Sequence, residues 1–140
     1  MYGLSESDQS TNVVRYSPNG SFLASGADDK AITVWQKRQN TLSIGSSEVI
    51  YRWSVKFRLL GHTEDILDLR WTRDSRHIVS AGIGQRIFIW SVEKRYHVKV
   101  LDEHEKLVQG IAIDLKFEHI ISCSNDRSTK VWNAVKSRRS

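Results

Sequence analysis

The chain has 140 residues, with 21 Lys and Arg against 16 Asp and Glu, a net charge of +5 and 39% hydrophobic residues; it is long enough for one domain with its own core. The positive excess is mild: it suits binding of nucleic acid or acidic proteins, but a plain solvated surface is the default reading. A single cysteine, Cys123, excludes an internal disulfide and is expected in a core strand, and neither an 18-residue apolar run nor a charged-then-apolar leader after Met1 supports membrane insertion or secretion.

In chain order, residues 1–11 read as a lead-in. Val14 and Tyr16 then alternate with polar neighbours, the period of two that marks a strand. Ser17-Pro18-Asn19-Gly20 closes it with a turn, Pro presetting φ and Gly accepting positive φ. Phe22 to Ser25 and Ile32 to Trp35 read as the second and third strands. The polar stretch Lys37 to Ser47 is expected to form an exposed loop insertion, around 37–49, before Trp53 opens a fourth strand that runs on through Val55 to Leu60. The order then returns with Leu69 and Trp71, His77 to Ser80, Ile87 to Trp90 and Val98 to Leu101. It returns again with Ile111 and Ile113, Glu118 to Ser122 and Thr129 to Trp132, ahead of a basic tail over 134–140. Four short antiparallel strands per unit and no convincing helix make the chain all-β.

The spacing is as regular as the order. His62, Ser80 and Trp90 recur as His104, Ser122 and Trp132, with 18 residues from His to Ser and 10 from Ser to Trp in both copies, and Ser25 and Trp35 keep the interval of 10. A fixed period means that one supersecondary unit is used repeatedly. Trp35 to Trp90 spans 55 residues and Trp90 to Trp132 spans 42, so the extra residues fall in the first connection.

Gly61-His62, the Ser-x-x-x-Asp turn and the strand-ending Trp resemble WD repeats, the blades of β-propellers. The resemblance covers about residues 12–133 and implies an all-β WD-repeat β-propeller with about three four-stranded antiparallel blades, over 12–60, 61–101 and 102–133. Closed rings need at least four blades, so three make a partial propeller with two uncovered end faces. A fragment or a truncated product is the favoured expectation, ahead of closure by assembly. The letters depart from the family in three places: no Asp follows any strand-ending Trp, Ser7 stands where His is expected, and Gly84 stands where the turn Asp is expected.

The resemblance also assigns Ser25, Asp29 and Trp35, then His62, Ser80 and Trp90, then His104, Ser122, Asp126 and Trp132 to hydrogen-bond chains running from the indole through Ser and His to Asp. The same letters invite a nucleophilic-triad reading, but a catalytic Ser needs exposure and an oxyanion hole, which nothing here suggests. Each bond contributes on the order of 1 kcal/mol, so units one and two, with incomplete sets, are expected to be looser than unit three. No His pair has metal-ligand spacing, the lone Cys cannot complete a zinc set, and no phosphate-cradling Gly-rich loop is present. No catalytic residue, metal or cofactor is expected.

Within the family, the long insertion after a blade reading NVVRYSPNG and LASGADDK, the Trp re-entering the outer strand and the following GHTEDILDLRW resemble one branch. It holds the middle, propeller subunit of chromatin assembly factor 1 and its HIRA-type relatives. HEKLVQG is similar to the first and DRSTKVW to the second. That resemblance implies a nuclear, non-enzymatic scaffold of a histone chaperone complex. It would act in nucleosome assembly by binding chaperone subunits or core histones, with no direct contact to nucleic acid, membrane or small-molecule substrate. Its partner-contacting positions fall on Ser10, Asn12 and Asp28; Asp65 and Leu67; Leu107, Gln109 and Asn125. Asn12 and Gln109 are what the chromatin assembly branch carries there. An ordinary exposed turn residue is an equally good reading of any one of them. Two alternatives stand beside this: a generic adaptor such as a ubiquitin-ligase substrate receptor, and a truncated, inactive propeller. The receptor reading lacks its usual Asp-x-Arg after a strand-ending Trp; Asp68-x-Arg70 has the letters, but in a first strand.

Overall fold

A computed structural model describes residues 3–4, 9–41 and 49–134. Among them the chain forms eleven strands and no helix: β1 Thr11–Tyr16, β2 Phe22–Ala27, β3 Ala31–Thr41, β4 Val49–Leu60, β5 Ile66–Trp71, β6 His77–Gly82, β7 Ile87–Ser91, β8 Tyr96–Leu101, β9 Val108–Ile113, β10 His119–Ser124 and β11 Thr129–Asn133. They build three antiparallel meanders, β1-β2-β3-β4, β5-β6-β7-β8 and β9-β10-β11. The third sheet therefore shows three strands where four were expected. The repeat unit read from the sequence is one sheet, and the sheets stack face to face as blades.

The core lies between the sheets, in two layers. The first sets Ala24, Ile32, Val34, Phe57 and Leu59 of blade one against Ile66, Leu69, Ile78, Phe88 and Trp90 of blade two. The second sets Val79, Ala81, Ile87, Ile89 and Leu101 of blade two against Val108, Ile111 and Ile120 of blade three. Strands covered on both faces carry near-continuous apolar runs instead of alternation, and β7 is buried at all five positions, Ile87–Ser91. Blade three continues the register 42 residues later: Ile121, Cys123, Thr129 and Val131 stand where Val79, Ala81, Ile87 and Ile89 stand in blade two. With no sheet among the described residues covering them, Ile121 is 42% and Val131 66% exposed. Cys123, expected in the core, is exposed for the same reason. Blade one mirrors this on its upstream side, where Val14 and Tyr16 are exposed.

This layering predicts the opposite order of blade stability. Blade two has fewer of the family's letters than blade three, yet it is covered on both faces. In stacked-repeat folds each repeat draws much of its stability from its neighbours, so blade two is expected to be the tightest and blade three the loosest.

The expected loop around 37–49 is also corrected. β3 runs on to Thr41 and β4 starts at Val49, paired from Gln36↔Ser54 to Thr41↔Val49. Polarity misled here: a two-stranded extension beyond the sheet satisfies its backbone by mutual pairing and needs no apolar face. Only 42–48 remain for the loop; they lie outside the described residues, as do Ser7 and the tail beyond Ala134.

Candidate functional site

One end of the blades is built by the turns that precede each first strand and those that join the second strand to the third. All eight sequence-predicted partner positions gather there, in three equivalent stations. Each inner strand pair carries a β-bulge at the same register, between Thr11 and Val13, between Ile66 and Asp68, and between Gly110 and Val108. The residue each bulge leaves without a partner is Asn12, Leu67 and Gln109 in turn. A bulge bends its strand and re-aims the extra side chain.

In blade one the Asn12 amide donates to Asp28 Oδ1 at 2.7 Å and to Ile66 O of blade two at 2.9 Å. In blade three the Gln109 amide donates to Asn125 Oδ1 at 2.8 Å. The carbonyls of Ser10, Asp65 and Leu107 accept the backbone amides of Asp28, Ile83 and Asn125 at 2.9, 3.0 and 3.2 Å, so each pre-turn residue is pinned identically. Sequence reasoning missed Ile83. It takes in blade two the place of Asp28 and Asn125, and it is 41% exposed; Gly84 replaces the Asp that would have flagged its neighbour. The face thus sets an apolar station, Leu67 and Ile83, between two amide–carboxylate or amide–amide pairs.

Beneath this face run the hydrogen-bond chains. In blade three Trp132 Nε1 donates to Ser122 Oγ at 2.8 Å, and Ser122 Oγ lies 2.7 Å from His104 Nε2. His104 Nδ1 lies 2.8 Å from Asp126 Oδ2. The Asp126 carboxylate can only accept, so the His104 ring proton sits on Nδ1 facing it, and the Ser122 hydroxyl, which accepts from the indole, donates to Nε2. The Ser128 hydroxyl, and after it the His104 ring, hold the Asp126 carboxyl far below the usual range. Blade two repeats the first two links, Trp90 Nε1 to Ser80 Oγ at 2.7 Å and Ser80 Oγ to His62 Nε2 at 2.6 Å. Blade one keeps Trp35 Nε1 to Ser25 Oγ at 3.3 Å. There Asp29 caps Ala31 N at 3.1 Å and pairs with Arg58. Gly61, before His62, is required for space: a Cβ would stand 2.9 Å from Trp90 Cη2.

His62 lacks the carboxylate that His104 has. Burial, reinforced by the charge of His97, lowers its pKa from 6.5 to about 4. A base depressed on folding binds fewer protons folded than unfolded between those values. Its stabilising effect is full above pH 6.5 and is lost as pH falls to about 4, by roughly 3 kcal/mol. Gly84→Asp should blunt that loss by giving His62 Nδ1 an acceptor; a Cβ there meets only ordinary contacts, the nearest Thr63 Oγ1 at 3.5 Å. Urea midpoints between pH 7 and pH 4 check this: the wild type should fall steeply and the variant less so, whereas parallel curves would count against it.

Two further clusters lie outside the predicted set. Asp68, buried in β5, joins all three blades: Oδ2 accepts Ile111 N at 3.0 Å, Oδ1 accepts Leu69 N at 2.9 Å, and Arg15 and Arg70 lie 3.6 and 3.7 Å away. Asp114, Glu118 and His119 come within 4.8 Å of one another in the β9–β10 turn. There Asp114 accepts Glu118 N at 2.7 Å and faces His119 Nδ1 at 3.2 Å, which is the ordinary capping of a turn.

Comparison with known proteins agrees with this architecture. A solved structure of U3-55K superposes with a TM-score of 0.76 at 24% identity, covering 93% of this chain and 38% of that one, and so shares the fold. Protein hir1 of Schizosaccharomyces pombe is 37% identical over 124 residues, and a Gallus gallus subunit of chromatin assembly factor 1 is 35% identical over 143 residues. These alignments take in 85% and 96% of this chain but only 13% and 25% of those proteins. The family described as the CAF1B/HIR1 beta-propeller domain matches residues 1–140. With its stacked meanders and its relatives in agreement, the chain belongs to the CAF1B/HIR1 β-propeller family.

Proposed function

We propose that this propeller segment is a non-enzymatic scaffold of a nuclear histone chaperone complex, and that in nucleosome assembly it binds chaperone subunits or core histones through the bulged face. The observation that carries this reading is the threefold repetition of one device, a bulge residue paired with or set beside a pre-turn residue. The face mixes Asn, Asp, Gln, Leu and Ile, which suits a protein partner and offers no cations for phosphates among these residues. A scaffold without turnover fits the burial of the serines: Ser80 is 0% and Ser122 1% exposed, each closed off between an indole and an imidazole. The ubiquitin-ligase receptor reading draws no support from Asp68-x-Arg70, because Asp68 is buried between blades.

Affinity capture from nuclear extract tests the proposal. The wild-type chain should retain histone-handling proteins, and a Leu67→Asp, Gln109→Ala variant should lose them by at least about tenfold, the effect of removing one or two central contacts. Capture that ignores both substitutions, or that brings down no histone-handling protein, would contradict it.

A further inference from the structure

We propose that the opposite face carries a second binding site, a basic cleft between blades one and two that takes an acidic peptide segment bearing an aromatic or large apolar side chain. The cleft holds about 710 Å3 and is formed where β2 and β4 of blade one meet the β5–β6 and β7–β8 turns of blade two. Phe22, Phe57 and Val92 supply its apolar lining; Lys56, Arg76, Lys94 and Arg95 supply its charge, against Glu93 alone. The size and the mixture of an apolar lining with few charged groups are those of a ligand site.

Two features concentrate positive charge here, where Asp74, held low first by the Thr72 hydroxyl, also feels the charge of Arg76. Among the described residues, none of these four cations has a carboxylate within ion-pairing distance; the pairs that form engage Arg15, Arg58, Arg70, Arg86, His104 and His119. Finally, Arg95 adopts a φ of 61°, in the left-handed region that Gly occupies freely and a side-chain-bearing residue does not. Other turns hold non-Gly residues at positive φ, but Arg95 is the one that brings a cation into this cleft, its guanidinium 4.8 Å from the Phe57 ring.

A peptide fits better than nucleic acid. Lys56 Nζ stands 5.2 Å over the Phe22 ring, as Arg95 does over Phe57, so neither ring is a free platform for base stacking. Carboxylates meet guanidinium groups in paired, charge-assisted hydrogen bonds, and an accompanying apolar side chain would lie against the half-buried Val92 in the cleft wall. Because this site uses the other ends of the strands, it stands independently of the reading of the bulged face and leaves that face free.

Fluorescence anisotropy with the whole chain tests it. The probe is a labelled peptide of Glu and Asp around one Phe, with its Gln and Asn counterpart and a short DNA duplex as comparisons. The acidic peptide should bind, should weaken as salt rises, and should lose about tenfold in affinity with Arg95→Gly. That substitution keeps the turn geometry, so thermal melts should match or exceed the wild type. Arg127→Gly removes an equal charge at another positive-φ turn, where φ is 70°, and should leave binding within about twofold. The proposal is overturned if the amide counterpart binds equally well, if the duplex binds more tightly than the peptide, or if the two Arg variants behave alike.

Discussion

Replacing Gly82 with Ala is expected to open the central blade. Gly82 ends β6, paired with Ile66 beside the bulge at Leu67, and a Cβ there would stand 2.0 Å from Asp65 O and 3.0 Å from Ile66 Cα. Both obstacles are backbone, so no rotamer change can relieve them; the bulge must shift. Overpacking of this kind costs upwards of about 3 kcal/mol. Gly84→Ala, two residues on, meets only ordinary van der Waals contacts and should stay within about 0.5 kcal/mol of wild type. Urea melts of the two variants give the comparison, and equal midpoints would show that the close approach at Gly82 is not real. Gly82→Ala should also displace Asp65 and Leu67, and with them any binding at the bulged face.

Trp90→Ala should be comparably severe. Trp90 is fully buried in the layer between blades one and two. Its ring lies 5.4 Å from Phe88 and 5.5 Å from His97, and its N–H is bonded to Ser80. Truncating a buried Trp costs about 3–5 kcal/mol, a large share of the roughly 5–15 kcal/mol typical of a whole domain. Trp132→Ala removes the same indole from a half-buried place in blade three and should cost clearly less. Matched losses in thermal or urea melts would mean that the two tryptophans share one environment.

The repeat made the strands legible, because strand alternation and the His–Ser–Trp intervals survive in any single chain. The family resemblance pointed to Asn12, Leu67 and Gln109 as equivalent positions, but their common bulge is a property of strand pairing that spacing alone does not reveal. Ile83 escaped because its marker Asp is Gly84. Asp68 escaped for a different reason: its partners Arg15 and Ile111 come from other blades, and a carboxylate in a strand gives no sign of them. Cys123 was misjudged because burial here depends on the neighbouring sheet as well as on the residue. The loop expected around 37–49 was misjudged over Lys37–Thr41, which pairs with Val49–Trp53, because polarity does not forbid two strands from pairing with each other.

The central claim is that stability flows from the layers between blades more than from the hydrogen-bond chain within each one. Hydrogen exchange resolved by strand tests it most directly. The slowest amides should lie in β6 and β7, covered on both sides, and β10 and β11 should exchange faster. Slowest exchange in β10 and β11, where His104, Ser122, Asp126 and Trp132 complete their chain, would contradict it.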